Sequence, residues 1–317
     1  MTLDRNGKIL VCGSIAFDTI MVFNGQFKGH ILPDKVHMLN VAFRVPEMRQ
    51  EFGGCAGNIC YNLSLLGLKG LPVATVGEDF WSYKNWLGRN NISDENILEI
   101  KEKYTAQAHI ITDMDDNQIT GFHPGAMDQS HEVIIRADHN VALGVISPDG
   151  HEGMKRHTKQ LAELGIPIMF DPGQEVSSLK GDELMWLMEH SRWMVVNDYE
   201  WQLFSEKTHM SIEVATEMLD VLIVTKGSEG SVIHTRDNSF NIPKVPTEDP
   251  VDATGCGDAY RAGIIYGLMH GHDWPTTGRI ASLLATYKIS HRGAQNHHFT
   301  MDQFRDHFAR QFMVTLG

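Results

Sequence analysis

The residues best suited to chemistry lie in one late segment, Asp252-Ala-Thr-Gly-Cys-Gly-Asp258, which leads into an amphipathic stretch. Small residues at a helix start leave main-chain N–H groups and the positive end of the helix dipole facing one point, where phosphate or a developing oxyanion binds. Gly255 and Gly257 would let an anion approach the chain closely. Asp258 could accept a proton from an alcohol that attacks a phosphorus atom held there. The residues alone leave open a simpler role, in which Asp258 caps the helix.

Two common phosphate-binding motifs do not describe this segment. The sequence contains neither GxxxxGKS nor GxxxxGKT, so it has no Walker A loop. Tyr260 stands where a GxGxxG fingerprint needs its third glycine, so a dinucleotide fingerprint is not indicated either.

The elements that must position this segment alternate between short apolar runs and longer stretches of helical periodicity. Strands that are apolar throughout and alternate with helices are typical of a parallel sheet covered on both faces. The sequence therefore predicts an α/β fold with a doubly wound, mainly parallel sheet. The predicted strands are Lys8–Cys12, Pro72–Val76, Val141–Ile146, Ile166–Phe170, Trp193–Val196 and Leu222–Thr225. The predicted helices are Ile59–Leu66, Glu152–Leu164, Asp182–His190, Ile212–Leu219, Asp258–Met269, Thr276–Ile289 and Met301–Phe312.

Two stretches interrupt this alternation. Residues 18–45 contain no convincing helix, and within them Leu39, Val41, Phe43 and Val45 alternate with mostly polar residues, which predicts a half-buried strand. Residues 106–122 predict a hairpin with its turn around Asp115-Asp116-Asn117. Together they predict a small separate sheet, and the alternative is a pair of decorated edge loops.

Composition excludes several classes of protein. The 317 residues carry 40 acidic and 27 basic side chains, a net charge of −13, which argues against a general nucleic-acid binder. Four scattered cysteines, Cys12, Cys55, Cys60 and Cys256, form neither a disulfide framework nor a zinc motif. No apolar run reaches about 18 residues, and the N-terminus lacks a signal-peptide pattern. We therefore expect a cytoplasmic protein without a membrane or nucleic-acid partner.

Four segments make the sequence similar to the ribokinase-like (PfkB) carbohydrate kinase family. Residues 252–258 resemble its C-terminal signature, and Phe52-Gly-Gly-Cys-Ala-Gly-Asn58 resembles its N-terminal signature. Asn197-Asp-Tyr-Glu200 looks like its NxxE element, and Thr225-Lys-Gly-Ser-Glu-Gly230 is the fourth match. The segments occur in family order and span nearly the whole chain.

The resemblance implies a Rossmann-like kinase domain of residues 1–17, 46–104 and 124–317, with a β-sheet lid of residues 18–45 and 105–123. It implies transfer of the ATP γ-phosphate to a primary hydroxyl. Asp258 would be the catalytic base, and the amides of Gly255, Cys256 and Gly257 would form the anion hole.

The sequence departs from the family pattern at two positions, neither of which removes the base or the main-chain donors. Ala253 stands where the family often has Thr, and Cys256 where it often has Ala. At a helix N-terminus Cys256 is expected to have some thiolate character, so that a thiol reagent inactivates the protein and ATP protects it. The alternative is that Cys256 is simply small and buried.

The resemblance also assigns the ligands of the site. Asn197 and Glu200 would organise Mg²⁺-bound water and the phosphates, although a carboxylate in a first helical turn also simply complements the dipole. A monovalent cation such as K⁺ would bind near Asp252 and residues 293–295. The ATP site would be lined by Asn197, Thr225, Gly227, Gly230 and Thr254. The hydroxyls of the acceptor sugar would be held by Asp18, Gly54 and Asn58.

Some of these assignments have support from the residues themselves. Asn197 and Thr225 follow predicted strands, at the sheet edge where open α/β sheets bind ligands. Asp18 follows the first strand closely, and a carboxylate can accept two neighbouring hydroxyls of a ribose. The simpler alternatives are a turn residue for Asp18 and a buried amide for Asn58.

Several strings are similar to the adenosine kinase-like branch of bacterial nucleoside kinases, namely residues 30–34, 107–113, 117–126 and 171–174. A nucleoside base needs apolar or aromatic walls, and the candidates are Gln107, Phe122, Gln174 and Met38. We expect an ATP- and Mg²⁺-dependent kinase acting on the 5′-hydroxyl of a nucleoside, adenosine first and inosine or guanosine next.

Two other functions remain open from the sequence. One is a kinase for a simple sugar such as ribose or fructose, and the other is a non-catalytic nucleoside-binding regulator. Asp258 and the intact glycines argue against the regulator, because binding alone does not need a base. The protein is expected to be a monomer or a homodimer paired through the lid.

Overall fold

The computed structural model of the protein describes residues 3–31, 40–115, 117–136, 140–248 and 250–316. In chain order, its strands are β1 (Lys8–Cys12), β2 (Ala16–Val22), β3 (Glu47–Gly53), β4 (Gly70–Val76), β5 (Ile97–Glu99), β6 (Ala106–Thr112), β7 (Gln118–His123), β8 (Val141–Ile146), β9 (Ile168–Phe170), β10 (Trp193–Asn197), β11 (Val221–Thr225), β12 (Ser231–His234) and β13 (Ser239–Ile242). The α-helices are α1 (Cys55–Leu65), α2 (Trp81–Arg89), α3 (His151–Glu163), α4 (Gly181–Glu189), α5 (Asp198–Thr208), α6 (Ile212–Met218), α7 (Cys256–His270), α8 (Trp274–Ile289) and α9 (Met301–Phe312).

The strands β8, β1 and β4 are parallel neighbours at the middle of a large sheet. Within the described residues, nine strands form this sheet in the order β13-β12-β11-β10-β9-β8-β1-β4-β5. All pairs from β11 to β5 are parallel, whereas β12 and β13 run antiparallel at one edge. The predicted doubly wound, mainly parallel α/β sheet is therefore confirmed.

The central strands are apolar throughout because both faces of the sheet are buried. Ile9 and Val11 of β1 lie in one core cluster with residues of α1, α7 and α8. Leu10 and Cys12 lie in a second cluster, with residues of α3 and α4. Successive side chains of a strand point to opposite faces, so a strand covered on both sides needs an apolar residue at every position. Each such Leu or Ile contributes about 1.5–3 kcal/mol through burial.

A small sheet, formed by β2, β3, β6 and β7, stands beside the large one. Its order is β3-β2-β6-β7, with β2 parallel to β6 and the other two pairs antiparallel. The predicted hairpin is confirmed as β6 and β7, and its turn is held by the Asp113 carboxylate, which accepts from the amides of Asp115 and Asn117. The prediction of a separate small sheet is therefore confirmed.

The predicted strand at residues 39–45 is wrong for the described part of that segment. Residues 40–45 form no strand, and Leu39, like Met38, lies outside the described residues. Phe43 packs instead on Phe23 and Phe27, with ring centroids 4.9 Å from each. The alternation of apolar residues thus reflects a loop that lies on an aromatic cluster, which local periodicity cannot distinguish from a strand.

Strand β3 belongs to the small sheet, although the sequence analysis assigned residues 46–104 to the larger domain. Glu47–Gly53 is mostly polar and pairs along its whole length with β2. Phe52 at its end stacks on Trp86 of α2 at 5.2 Å and contacts Tyr83 at 4.9 Å. Pairing and these aromatic contacts, rather than local propensity, define this strand.

The turn between β3 and α1 brings the chain close to the end of β1, and only glycine fits there. Gly54 has φ 86°, and a Cβ at this position would lie 2.6 Å from both the Ser14 carbonyl oxygen and the Ala16 nitrogen. The amide of Cys55 donates to Ser14 Oγ at 3.1 Å, and that of Ala56 donates to Ser14 O at 3.0 Å. These contacts seat the N-terminus of α1 at the carboxyl edge of the large sheet.

Of the helices that the structure describes, none has the length and apolar character needed to cross a membrane. The four cysteines form no disulfide.

Candidate active site

Two helix N-termini bring Asn58 and Asp258 together at the carboxyl edge of the large sheet. Asn58 is the fourth residue of α1, and Asp258 is the third residue of α7. Nδ2 of Asn58 donates to Oδ2 of Asp258 at 2.8 Å, a contact between residues 200 positions apart. The structure thus joins the side chain that the sequence assigned to proton transfer with one that it assigned to the acceptor.

A chain of hydrogen bonds determines which way the Asn58 amide points. Trp86 Nε1 can only donate, and it donates to Oε1 of Gln295 at 2.9 Å. Nε2 of Gln295 therefore faces Asn58 and donates to its Oδ1 at 2.9 Å. Nδ2 of Asn58 is left as the donor to Asp258. Gln295 lies in the segment where the sequence placed a cation, and here it orients the amide of Asn58.

The helix-cap alternative for Asp258 does not match this geometry. The residue at the N-cap position of α7 is Gly255, and no side chain caps the helix there. The Asp258 carboxylate bonds instead to Asn58, on another helix. Its role is therefore set by tertiary contacts.

The environment of Asp258 favours its protonated form more than water does. Burial raises the pKa of Asp258, and the charge of Glu200 adds to this effect. The nearby charge of Arg261 and the hydrogen bonds from Asn58 and Cys55 work in the opposite direction, but the net shift is upward. A raised pKa suits a general base, because it brings proton affinity closer to what the reaction needs.

Asp18 of β2 lies beside the same cluster of carboxylates. A Cβ at Gly53 would lie 2.5 Å from Oδ2 of Asp18, so the glycine leaves room for the carboxylate. Glu51 of β3 is the register partner of Asp18. Burial, together with the negative charges of Asp258, Asp252 and Glu51, raises the pKa of Asp18 to about 6.

Arg261, one turn after Asp258 in α7, is a site residue that the sequence analysis missed. Its Nη2 donates to Asp171 Oδ1 at 2.5 Å, and its Nε lies 2.5 Å from Oδ2 as an ion pair without hydrogen-bond alignment. Glu200 Oε2 lies 3.8 Å from Nη2. An arginine inside an apolar helix could have indicated this role from the sequence, because a buried arginine is almost always paired with an acidic group.

The guanidinium of Arg261 is the central positive charge of this cluster. Burial alone would lower the pKa of Arg261, but the carboxylates of Asp171, Glu200 and Asp258 raise it above its ordinary value. The side chain therefore stays charged and offsets the buried carboxylate of Asp171 and the partly buried ones of Glu200 and Asp258.

The predicted anion hole has two unpaired amides rather than three. Gly255 has φ 78°, and a Cβ there would lie 2.7 Å from Ala294 Cβ. The amide of Cys256 donates to Ala253 O at 3.1 Å. Among the described residues, no acceptor binds the amides of Gly255 and Gly257, which lie at the positive end of α7.

The expectation of a thiolate at Cys256 is corrected by the structure. Burial raises the pKa of Cys256 to about 11, and Lys288 only partly opposes this. The sulfur faces the carbonyl oxygens of Asp252 and Ala285, at 3.9 and 3.8 Å. Burial thus favours a neutral thiol, which agrees with the alternative of a small, partly buried side chain.

Asp252, beside which the sequence placed a monovalent cation, uses each of its three oxygens in a hydrogen bond. Its carboxylate accepts the amides of Thr254 and Gly293, each at 2.9 Å, and its main-chain oxygen accepts Lys288 Nζ at 2.6 Å. Burial would raise the pKa of Asp252, but the two amide hydrogen bonds hold it below its ordinary value. Thr254, predicted to bind ATP, is exposed in this turn.

Four of the five predicted ATP-binding residues lie at or just after the ends of β10 and β11. Asn197 and Thr225 are register partners there. Gly227 and Gly230 follow β11 with φ 52° and 92°. A Cβ at Gly227 would meet nothing within 4 Å, so a ligand can approach the main chain at this turn.

Asn197 and Glu200 form a capping box at the start of α5. Glu200 N donates to Asn197 Oδ1 at 2.7 Å, and Asn197 N donates to Glu200 Oε2 at 2.8 Å. This is the simpler role that the sequence left open for Glu200. Among the described residues, its Oε1 accepts no hydrogen bond.

Mg²⁺ fits this edge only as an ion bound mainly to phosphate. Across the described ranges, no three His, Cys, Asp or Glu side chains converge on a metal position. Mg²⁺ usually keeps several waters and binds through one or two carboxylates plus substrate phosphates. Asn197 and the free oxygen of Glu200 match such a water-mediated contact.

The candidate walls for a base make other contacts. Gln107 Nε2 donates to Oδ2 of Asp79 at 2.9 Å. Phe122 is 51% exposed on β7, and Gln174 is exposed after β9. Met38 lies outside the described residues. None of the contacts seen for these side chains joins them to Asp258, so their role in binding stays a prediction.

Comparisons of the sequence and of the structure with known proteins both identify kinases. The model of the pfkB family carbohydrate kinases matches residues 22–300. A nucleoside kinase of Methanocaldococcus jannaschii is 31% identical over 266 residues, which cover 83% of this chain and 87% of that protein. A nucleoside kinase of Burkholderia thailandensis, solved with inosine, is 42% identical with a TM-score of 0.89 and covers 97% of this chain and 99% of that one. Its complex with ADP-inosine is 44% identical, with a TM-score of 0.86 and 97% of both chains covered.

Replacing Arg261 with methionine should reduce the free energy of unfolding by about 3–5 kcal/mol, because the carboxylates around it would remain buried without a cation. Urea denaturation measures this loss. As a control, Arg305→Met removes an exposed partner 3.7 Å from Asp302 and should cost at most about 1 kcal/mol. Equal losses in the two variants would contradict the central role of the Arg261 charge.

Proposed function

The chain belongs to the pfkB family of carbohydrate kinases, and we propose that it transfers the γ-phosphoryl group of ATP to the 5′-hydroxyl of a purine nucleoside. Relatives named nucleoside kinase match nearly the full chain, and one of them is solved with inosine and with ADP-inosine. Adenosine, the first expectation from the sequence, is proposed together with inosine.

One observation carries the proposal. The Asp258 carboxylate, held by Asn58 at 2.8 Å, lies in the first turn of α7 beside the unpaired amides of Gly255 and Gly257. A base and an anion-binding group are thus adjacent, as an alcohol attacking phosphorus requires. A protein that only binds nucleosides would not need a carboxylate of raised pKa at this point.

The reaction follows from this placement. The 5′-hydroxyl donates a hydrogen bond to Asp258, which accepts the proton as the oxygen attacks the γ-phosphorus in line with the leaving group. The amides of Gly255 and Gly257 and the dipole of α7 stabilise the negative charge that develops on the phosphoryl oxygens. When bound, Mg²⁺ neutralises phosphate charge, and Asn197 and Glu200 would hold its water shell.

The sugar is proposed to lie between the small sheet and α1. Asp18 offers a carboxylate to two neighbouring hydroxyls, and Gly53 leaves space for this carboxylate, while Gly54 lets the chain turn close to the end of β1. Asn58 uses one of its two amide hydrogens on Asp258, so the second can reach a hydroxyl. The small sheet would then act as the lid that excludes water from the phosphoryl group.

Replacing Asp258 with Asn should lower kcat by about 100-fold or more, because it removes the proton acceptor, while ATP binding persists. Steady-state kinetics and calorimetric titration with ATP measure the two effects. Asp302→Asn, an exposed carboxylate in the first turn of α9, is the control and should leave kcat unchanged. A similar kcat in both variants would remove Asp258 from the mechanism.

The affinity for the nucleoside should depend on the ionisation of Asp18. Its pKa of about 6 in the free protein means that the carboxylate is charged above this pH and protonated below it. A protonated group accepts fewer hydroxyl hydrogens, so KM for the nucleoside should rise as the pH falls through about 6. KM for ATP serves as the internal control. In Asp18→Asn, KM should be high at every pH, and an unchanged pH profile would contradict this role.

A panel of acceptors tests the substrate class. Adenosine, inosine and guanosine should support ADP release and yield 5′-phosphorylated products, whereas ribose and fructose should not. 5′-Deoxyadenosine lacks the attacking hydroxyl and should inhibit without turnover. Turnover of sugars alone would establish the sugar-kinase alternative, and turnover of nothing would contradict kinase activity.

A further inference from the structure

Lys288, in the last turn of α8, is a buried ammonium that the reaction just described does not use. The residue is 0% exposed, and Nζ donates to the carbonyl oxygens of Asp252 at 2.6 Å and His291 at 3.1 Å. Within the described ranges, no carboxylate lies within 4 Å of this nitrogen. A buried charge is costly unless polar groups compensate it, so main-chain oxygens do so here.

Lys288 binds Asp252, the first residue of the segment 252–257. This segment, called here the anion-binding loop, carries the amides of Gly255 and Gly257. Asp252 N donates to Ile289 O at 3.1 Å, and the Asp252 carboxylate accepts the amides of Thr254 and Gly293. The main-chain nitrogen and Oδ2 of Asp252 therefore attach the loop to the end of α8 and the segment after it, whereas Oδ1 binds within the loop. Lys288 adds a third attachment through the carbonyl oxygen of Asp252.

The ammonium also acts on the loop through its charge. The positive charge of Lys288 partly opposes the rise in the pKa of Cys256. Its electrostatic effect therefore reaches the start of α7, where Cys256 is the first residue. Charges in a buried environment are only weakly screened by solvent and salt. A positive charge at this point adds to the helix dipole and favours an anion at the amides of Gly255 and Gly257.

The ligands of this ammonium are of the type that K⁺ selects. Main-chain carbonyl oxygens replace the hydration shell of K⁺ in proteins. The sequence resemblance placed a monovalent cation near Asp252 and residues 293–295, but the Asp252 carbonyl there is taken by Lys288 and both its carboxylate oxygens by amides. The positive charge of Lys288 also acts on the Asp252 carboxylate and opposes the binding of a second cation beside it.

We propose that Lys288 is a positioning residue whose ammonium serves as the resident cation of the anion-binding loop, so that the enzyme needs no free monovalent cation. The inference rests on the proposed kinase function. Lys288 holds the Asp252 carbonyl, and through it the geometry of the loop, and it supplies the positive charge that a bound K⁺ would otherwise provide.

The first test uses the wild-type protein. Nucleoside phosphorylation is measured with ATP as its Tris salt in choline chloride, and then in KCl of equal ionic strength. We expect the same kcat and the same KM for ATP in both. Turnover only with K⁺ would overturn the inference and leave the kinase function standing, whereas no turnover with either cation would contradict the kinase function itself. This comparison does not depend on any variant folding.

The second test uses two substitutions that separate charge from volume. Lys288→Met removes the charge and keeps the stem, and Lys288→Ala removes the charge and opens space for a cation. In choline chloride both should lose about 10- to 100-fold in kcat, as misplaced catalytic groups do. Adding K⁺ or NH₄⁺ should restore activity to Lys288→Ala and raise its Tm, but should do neither for Lys288→Met.

Lys207 provides a matched control away from the loop. Its Nζ donates to three main-chain oxygens, those of Val176, Ser177 and Leu179, at 2.7–2.8 Å. Lys207→Ala should lower Tm without making kcat or Tm depend on K⁺. If Lys288→Ala behaves in the same way, or keeps wild-type kinetics in choline chloride, Lys288 is merely structural and the inference is wrong.

Discussion

The hydrogen bond from Asn58 to Asp258 is the interaction on which the rest of the site depends. It joins the N-termini of α1 and α7, and its direction is set by donors that begin at Trp86 and pass through Gln295. Because an indole nitrogen can only donate, each amide along this path has one favourable orientation. Asp258 is thus positioned by α2 and by the segment after α8, as well as by its own helix.

The charges of the candidate site are balanced locally, although the protein is acidic overall. The carboxylates of Asp18, Asp171, Glu200 and Asp258 gather there, and burial raises the pKa of Asp18 and of Asp258. Arg261 offsets three of these carboxylates, and among the described residues two amides at the start of α7 have no acceptor. Under the proposed function, this arrangement would let one site hold both a base and a phosphoryl group.

Much of the fold could be predicted from local patterns, and the failures have physical causes. β1 and β8 have the predicted bounds because both faces of the sheet are buried and nearly every position is apolar. β3 was not recognised because pairing with β2 and contacts of Phe52 define it, and the apolar alternation of residues 40–45 includes Phe43, which packs on Phe23 and Phe27 without forming a strand. The thiol of Cys256 is neutral because tertiary packing buries it, which no local pattern shows.

The sequence by itself determined the chemical parts: Asp258 at the start of a helix, the glycines around it, and the ordered segments that indicate a kinase. These are local properties, since glycines, caps and helix dipoles act within a few residues. Only the tertiary structure decided that Asn58 binds Asp258, that Arg261 balances the carboxylates, and that Lys288 binds the Asp252 carbonyl. Donors and acceptors far apart in the chain pair according to how helices pack, and periodicity carries no record of that pairing.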